Sequence, residues 1–328
     1  MDEVIALLEH HKRPELTKAV IPVLLDSLVY ISKALRQSQT ISLTGGANSF
    51  GDGQLNVDIS AENLIREALA LCPAVATATS EEDPVEKPSE SGSTAESRKA
   101  SGEEYTVAFD PLDGSSIIGA NWSVGTIIGI WDGSSALNQS PKDKQVASIL
   151  GVLGPRTTAI VSVRTPESSE TSCIEVGLAD DSSIQIIRPQ VRLLASDSIK
   201  TRYFAPANLR ATGDSSEYLD LVTGYASKKY TLRYSGGLVP DVIHALSKGH
   251  GIYTSPVTEA SPAKLRRLYE LCPIALTLEC AGGKAVDPVS GDDILFKPIA
   301  GCDERGGLIC GTTEEVDFAA SKLVKPRT

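Results

Sequence analysis

Tyr105-Thr106-Val107-Ala108-Phe109 runs directly into Asp110-Pro111-Leu112-Asp113-Gly114-Ser115-Ser116, and a second apolar run follows at Thr126 to Trp131. The β-branched and aromatic residues of both runs predict strands. Pro111 fixes φ and lacks an N–H, so the chain should leave the sheet there, with Asp110 and Asp113 turned toward one point that suits a hard cation. Gly114 has no Cβ, and Ser115 and Ser116 add hydroxyls, which together equip the loop to cradle phosphate oxygens. Asp and Gly also dominate ordinary turns, so the octet alone leaves both readings open. An EF-hand is excluded, because neither its early acidic positions nor its final Glu is present.

Upstream of this loop, Val75 to Ala78 predicts a short strand that leads into Ser80-Glu81-Glu82-Asp83, three acids in a row. Ile59, Leu64, Ile65, Ala68 and Leu69 predict a helix from Asp58 to Ala70, on which Asp58 and Glu62 share a face. Two like charges there read as a solvated face or as a pair sharing a cation. Residues 15–36 carry apolar side chains at spacings of three and four, a helical stripe with Pro22 as kink or boundary. Thr44 to Gly53 is Gly-rich without the lysine of a nucleotide-binding loop and reads as a turn. Residues 84–104 are Pro, Ser, Glu and Lys, the composition of a mobile surface loop.

Downstream, strands are predicted at Ala147 to Leu153, Thr157 to Val163, Cys173 to Leu178 and Ser183 to Ile187. Helices are predicted at Ser216 to Lys228, Leu238 to Lys248, Ala263 to Leu271 and Val316 to Val324, with strands at Leu232 to Tyr234 and Gly251 to Thr254. On the third of these helices Arg266 and Glu270 lie four apart, which predicts a surface ion pair.

The chain has 328 residues, 41% of them hydrophobic, and a formal charge of −11. That charge argues against nucleic acid as a partner, and no run approaches the ~20 apolar residues of a membrane span. The acidic start Met1-Asp2-Glu3 lacks the order of a signal peptide and points to the cytoplasm, or to an organelle if a presequence has been removed. Six cysteines show no C-x-x-C pair, which predicts reduced structural thiols. Asp58, Glu62, Glu81, Glu82, Asp110 and Asp113 form an oxygen-only set, which selects Mg²⁺, with Mn²⁺ as an alternative.

An acidic pair followed by D-P-x-D-G-S resembles the signature of the sugar bisphosphatases, the fructose-1,6-bisphosphatase family within the inositol monophosphatase superfamily. Asn48 to Asp52, Gly154-Pro155-Arg156-Thr157-Thr158, Asn208 to Thr212 and Lys229 to Gly237 extend the resemblance over nearly the whole chain. Within the family it is closest in kind to the enzymes acting on sedoheptulose 1,7-bisphosphate.

The resemblance implies a layered α/β/α/β fold in two halves, residues 1–189 and 190–328, and a homodimer or homotetramer. It implies two to three Mg²⁺ or Mn²⁺ ions per subunit, held by Asp58, Glu81, Asp110, the Leu112 carbonyl, Asp113 and Glu270. Glu62 and Glu82 correspond to the pair that polarises the attacking water, and Gly114, Ser115 and Ser116 to the cradle of the scissile phosphate. Asn208, Tyr234, Lys264 and Arg233, the last reaching from a neighbouring subunit, would meet the sugar and its second phosphate. Lys264 gains a role if it shares a helix with Glu270, since it could then bridge the metal end and the distal phosphate end of the substrate.

Two departures point to a seven-carbon sugar: Ser255 stands where six-carbon enzymes carry tyrosine, and Asn208-Leu209-Arg210 replaces Asn-Glu-Gly. Ser42 to Ala47 stands in place of the plant-type redox cysteines, and residues 1–40 show no AMP-binding pattern. The competing readings are a fructose-1,6-bisphosphatase or dual-specificity enzyme and, from another class, a catalytically silent sugar-phosphate-binding regulator.

Overall fold

The computed structural model describes residues 1–47, 53–90, 98, 102–166, 170–194 and 198–325. Eight strands form the first sheet: β3 (Val75–Ser80), β4 (Lys87–Pro88), β5 (Tyr105–Asp113), β6 (Val124–Asp132), β7 (Gln145–Leu153), β8 (Thr157–Arg164), β9 (Thr171–Leu178) and β10 (Ile184–Arg188). Their spatial order is β10-β9-β8-β7-β6-β5-β3-β4, antiparallel throughout except for β3 beside β5. Every residue of β5 is buried, so the polar alternation of a one-sided strand is absent and both faces must be covered.

One face is covered by the helices Ile21–Gln37 and Asn56–Ala70, whose Leu24, Leu28, Ile31, Ala61 and Ile65 join Phe109, Ile128 and Ile149 in one core. The predicted boundary at Pro22 is found: a π-helical turn, Leu16–Val20, precedes it and Pro22 sits in the first turn of the next helix, where its missing N–H costs nothing. The other face is covered by the helices Leu238–Lys248 and Cys272–Cys280, through Leu238, Val242, Ile274 and Leu278.

Beyond them lies a second sheet in the order β12 (Thr231–Leu232), β11 (Tyr203–Pro206), β13 (Ile252–Ser255), β17 (Leu308–Gly311) and β15 (Lys284–Val286). The expected α/β/α/β layers are present, and helices Ser216–Ser227 and Thr313–Leu323 add a fifth, helical layer on the outer face of the second sheet around Tyr218, Tyr225 and Val316. No helix among the described residues is long and apolar enough to cross a membrane.

Three local expectations are corrected. In the Gly-rich Thr44 to Gly53 the described residues belong to two antiparallel strands, β1 (Leu43–Ala47) and β2 (Gly53–Leu55), and the rest of the expected turn, residues 48–52, lies outside the described set. Within 84–104, β4 pairs with β3, and the Glu86 carboxylate accepts from Ala136 N at 2.7 Å and Ser135 Oγ at 2.7 Å, so this part is anchored; residues 91–97 and 99–101 lie outside the described set. Of Ala263 to Leu271 only Arg267–Leu271 is helical, as a π-helical turn that runs on into Cys272–Cys280, while Leu265–Arg266 forms β14, paired with β16 (Arg305–Gly306). A pairing forty residues away overrides the local apolar period.

Candidate active site

The site begins where β5 loses register with β6: Asp110 faces Ile127 and Asp113 faces Gly125, so three steps on one strand match two on the other. Such a bulge re-aims side chains, and Pro111, which cannot donate to the ladder, occupies it. Its carbonyl accepts from Thr126 Oγ1 at 3.0 Å, and Leu112 N donates to Asp110 Oδ1 at 3.0 Å. Gly114 then takes φ +85°, which its lack of a Cβ permits, and the turn Ser115–Ile118 starts.

Asp113 is fixed from the far side of the sheet. Its two oxygens accept from Leu238 N at 3.2 Å and Val239 N at 2.6 Å, the first N–H groups of the helix Leu238–Lys248. These are donors without intrahelical partners, at the positive end of the helix, so a carboxylate is the matching cap. Gly125 allows this approach: a Cβ there would lie 2.8 and 2.9 Å from the two γ-methyls of Val239. Asp241 accepts from Ser235 N at 2.7 Å and Gly236 N at 3.3 Å, which holds the turn leading into that helix against Gly114.

Asp110, Asp113 and Glu270 bring one carboxylate oxygen each within 4.8 Å of one another, all three residues buried. Glu270 arrives on the π-helical turn, and its carboxylate accepts from Arg266 N. Burial raises all three pKa values: Asp110 well up, with the charges of Asp113 and Glu270 adding to the effect, Asp113 to about 6 against its two N–H donors, and Glu270 to about 8. Asp58, buried on the helix Asn56–Ala70, is raised to about 6 by burial, and its charge acts on Asp110. Of the two readings for Asp58 and Glu62, the solvated face is excluded, since both are buried.

Asp58 Oδ2 accepts from Leu55 N at 2.9 Å, whereas Asp58 Oδ1 and Glu62 Oε2 are buried with no hydrogen-bond partner among the described residues. Crowded acids of raised pKa beside orphaned carboxylate oxygens are stabilised by a hard divalent cation, so the donor set fits Mg²⁺ or Mn²⁺.

The other candidate residues are held by contacts outside this cluster. Glu81 N donates to Phe109 O at 3.0 Å, which ties the end of β3 to β5, but the Glu81 side chain is ion-paired with Arg266. Arg266 is therefore buried and bound to Glu81, not a surface partner of Glu270. Glu62 pairs with Arg66, and Glu82 Oε2 accepts from Gln54 Nε2 at 2.6 Å. Ser115 is half-buried and Ser116 exposed in the turn after Gly114.

Asn208 adopts φ +48° and donates from Nδ2 to Pro256 O at 2.9 Å, which places it beside Ser255 at the end of β13. Arg233 and Tyr234 are exposed just past β12; the guanidinium of Arg233 lies 5.8 Å from the Tyr203 ring centre, and the Tyr234 hydroxyl is raised in pKa by burial and the charge of Asp241. Lys264 is exposed and stands before β14, so it does not share a helix with Glu270 as expected. Sequence reasoning missed Arg66, Gln54, Asp241 and the Leu238 and Val239 N–H groups; only Asp241, an acid in the first turn of a predicted helix, carried a local signal.

Comparison with known proteins adds to this geometry. Residues 6–172 match the N-terminal domain model of fructose-1-6-bisphosphatase and residues 198–324 its C-terminal domain model. A chloroplastic sedoheptulose-1,7-bisphosphatase of Chlamydomonas reinhardtii is 38% identical over 280 residues, covering 85% of this chain and 67% of the relative. A class 1 fructose-1,6-bisphosphatase of Syntrophotalea carbinolica is 33% identical, covering 90% and 85%. A Toxoplasma gondii crystal structure provisionally named a sedoheptulose-1,7 bisphosphatase superposes with a TM-score of 0.85 at 32% identity over 98% of both chains.

Proposed function

The chain belongs to the fructose-1,6-bisphosphatase family, and from that premise we propose that it hydrolyses the 1-phosphate of sedoheptulose 1,7-bisphosphate, using Mg²⁺ or Mn²⁺. Its class is phosphoric monoester hydrolase. The observation that carries the metal assignment is the meeting of Asp110, Asp113 and Glu270 beside the orphaned oxygen of Asp58, immediately before Gly114.

Asp110, Asp113, Glu270, Asp58 and the Leu112 carbonyl would hold two to three ions, and Glu81 would join them by exchanging its ion pair with Arg266. Bound there, the cations would lower the pKa of a water and offset the charge of the phosphate oxygens. Glu62 and Glu82 would orient an attacking water in line with the phosphorus and take its proton, while the bond from phosphorus to the sugar's C1 oxygen breaks and that oxygen leaves with a proton from solvent or from the same acids. The N–H groups of Gly114 and Ser115 and the hydroxyl of Ser116 hold the phosphoryl oxygens. Asn208 and Tyr234 face the sugar, while Lys264 and Arg233, both exposed and cationic, take the distal phosphate from a loop and, in a homodimer or homotetramer, from the neighbouring subunit. No covalent intermediate is needed.

Ser255 ends β13 one residue before the Pro256 carbonyl that holds Asn208, and this supports the longer sugar, because a hydroxyl where the six-carbon enzymes carry a ring leaves room beside Asn208. Preference for fructose 1,6-bisphosphate is the second reading, favoured by the bacterial class 1 relatives. Phosphate release from both bisphosphates and from an inositol phosphate, side by side with Mg²⁺, tests the proposal. A higher kcat/KM on the seven-carbon substrate is expected; a tenfold preference for the six-carbon one overturns the substrate choice, and no turnover of any supports a silent regulator.

A further inference from the structure

We propose that Asp241 is a positioning residue of the hydrolytic reaction, whose carboxylate fixes the turn Ser235-Gly236-Gly237 so that this turn aims Tyr234 at the substrate and backs the phosphate cradle at Gly114. The inference rests on the proposed roles of Tyr234, Asp113 and Gly114 and extends them to a buried side chain that needs no contact with substrate. Asp241 lies in the first turn of the helix Leu238–Lys248, so its carboxylate reaches back over the residues that lead into the helix. Its Oδ1 accepts from Ser235 N at 2.7 Å and its Oδ2 from Gly236 N at 3.3 Å. Gly237 N donates to Ser235 Oγ at 3.2 Å, and the next two N–H groups, those of Leu238 and Val239, go to Asp113. Five consecutive backbone donors are thus divided between one hydroxyl and two carboxylates, Asp113 reaching in from β5 and Asp241 from the helix itself.

The turn stands between two parts of the site. On one side its own backbone packs on the cradle: a Cβ on Gly114 would lie 3.3 Å from Gly237 Cα, and a Cβ on Gly236 would lie 3.3 Å from Cγ2 of Ile117 in the segment Ser115–Ile118. On the other side Tyr234 directly precedes it, and the charge of Asp241 acts on the Tyr234 hydroxyl. Two adjacent glycines, Gly236 at φ +100°, give this stretch more backbone freedom than other residues would, so hydrogen bonds must fix its shape. An acid placed in a first helical turn only to meet the dipole would stay in water and leave the turn's donors to solvent. Asp241 is 6% exposed, and both of its oxygens are spent on the turn.

The test is steady-state phosphate release with saturating Mg²⁺ from whichever of sedoheptulose 1,7-bisphosphate and fructose 1,6-bisphosphate the parent turns over faster. Asp241→Asn keeps the size of the side chain but can accept from only one of the two N–H groups, its amide nitrogen meeting the other donor to donor. KM should rise about tenfold as Tyr234 loses its aim, and kcat should fall about tenfold as the cradle shifts. In a Tyr234→Phe background the rise in KM should shrink to within about twofold, because the hydroxyl it acts through is gone, while the fall in kcat persists. Glu103→Ala removes a carboxylate cap from another helix start and is the control for lost stability alone, with both constants parental. Should Asp241→Asn not fold, Ser235→Ala removes the acceptor of Gly237 N from the same turn and should raise KM about threefold. Parental KM and kcat in the variant that carries the test overturn the inference, as does an undiminished rise in KM in the Tyr234→Phe background or an equal rise in Glu103→Ala; these results leave bisphosphatase activity standing. A parent that releases phosphate from neither sugar removes the proposed function and this inference with it.

Discussion

Gly125→Ala should disable the site without touching any of its acids. The added methyl would lie 2.8 and 2.9 Å from the γ-methyls of Val239 and closer still to its Cβ. Carbon atoms pack at about 3.5–4.0 Å, so the start of the helix Leu238–Lys248 must retreat by about 1 Å. The bonds from Leu238 N at 3.2 Å and Val239 N at 2.6 Å to Asp113 would then pass hydrogen-bonding range. Overpacking costs about 1–3 kcal/mol, and lost bonds to a buried carboxylate about 1.5–3 kcal/mol each where nothing replaces them. Partial relaxation sets the expected sum at about 3–5 kcal/mol, and at about 2 °C per kcal/mol the melting temperature should fall by roughly 6–10 °C. Displacing Asp113 by about 1 Å should lower kcat about a hundredfold. Differential scanning calorimetry and phosphate release measure the two losses. Parental values of both would refute the claim that the helix end holds Asp113.

Proton linkage gives a second prediction. Asp58 and Asp113 at about 6 and Glu270 at about 8 lie above their unfolded values of about 4, so the stability these groups contribute is complete below about pH 4 and is lost as pH rises through 6 to 8. In chelator, the melting temperature should therefore fall between about pH 5 and pH 8, and Mg²⁺ should restore more of it at the upper end, where it competes with fewer protons; a rise across that window in chelator contradicts the crowding of the acids. Glu103→Ala removes a carboxylate that accepts from Glu15 N and Leu16 N at 3.1 Å each, and should lower stability by about 1–2 kcal/mol with kcat unchanged; calorimetry showing no loss would refute the cap. Ser255→Tyr should shift kcat/KM toward fructose 1,6-bisphosphate, and an unchanged ratio means Ser255 does not set specificity. All six cysteines are free and five are buried, so dithiothreitol and mild oxidant should leave the rate unchanged.

The elements around Asp110 were legible because local chemistry and final structure agree there. β-Branched runs became β5 to β9, Pro111 broke the ladder where it should, and the helix Leu238–Lys248 has the bounds its apolar period predicts, with Gly249 at φ +71° ending it. Legibility ended where distant segments decide. Nothing near Arg266 signals that β16 would pull it into a strand and Glu81 would bury its charge. The loss of the helix there also dissolved the reason offered for Lys264. Asp113 could be read as an acid at a strand end, but its donors lie 125 residues away and depend on Gly125 for access. The burial of Asp58 and Glu62 was hidden for the same reason: their face meets β5, and an acidic pair at i,i+4 looks alike whether it meets water or a cation site.

The central claim is that buried carboxylates at the end of β5 hold the metal used to hydrolyse a sugar bisphosphate. Phosphate release from sedoheptulose 1,7-bisphosphate by chelator-stripped protein, with Mg²⁺ added back, tests it most directly when Asp110→Asn is assayed beside the parent. The account predicts no turnover before addition, full recovery in the parent, and at least a thousandfold lower kcat in Asp110→Asn at any Mg²⁺ concentration. Turnover by the stripped parent, or recovery of Asp110→Asn to the parental rate, would contradict it.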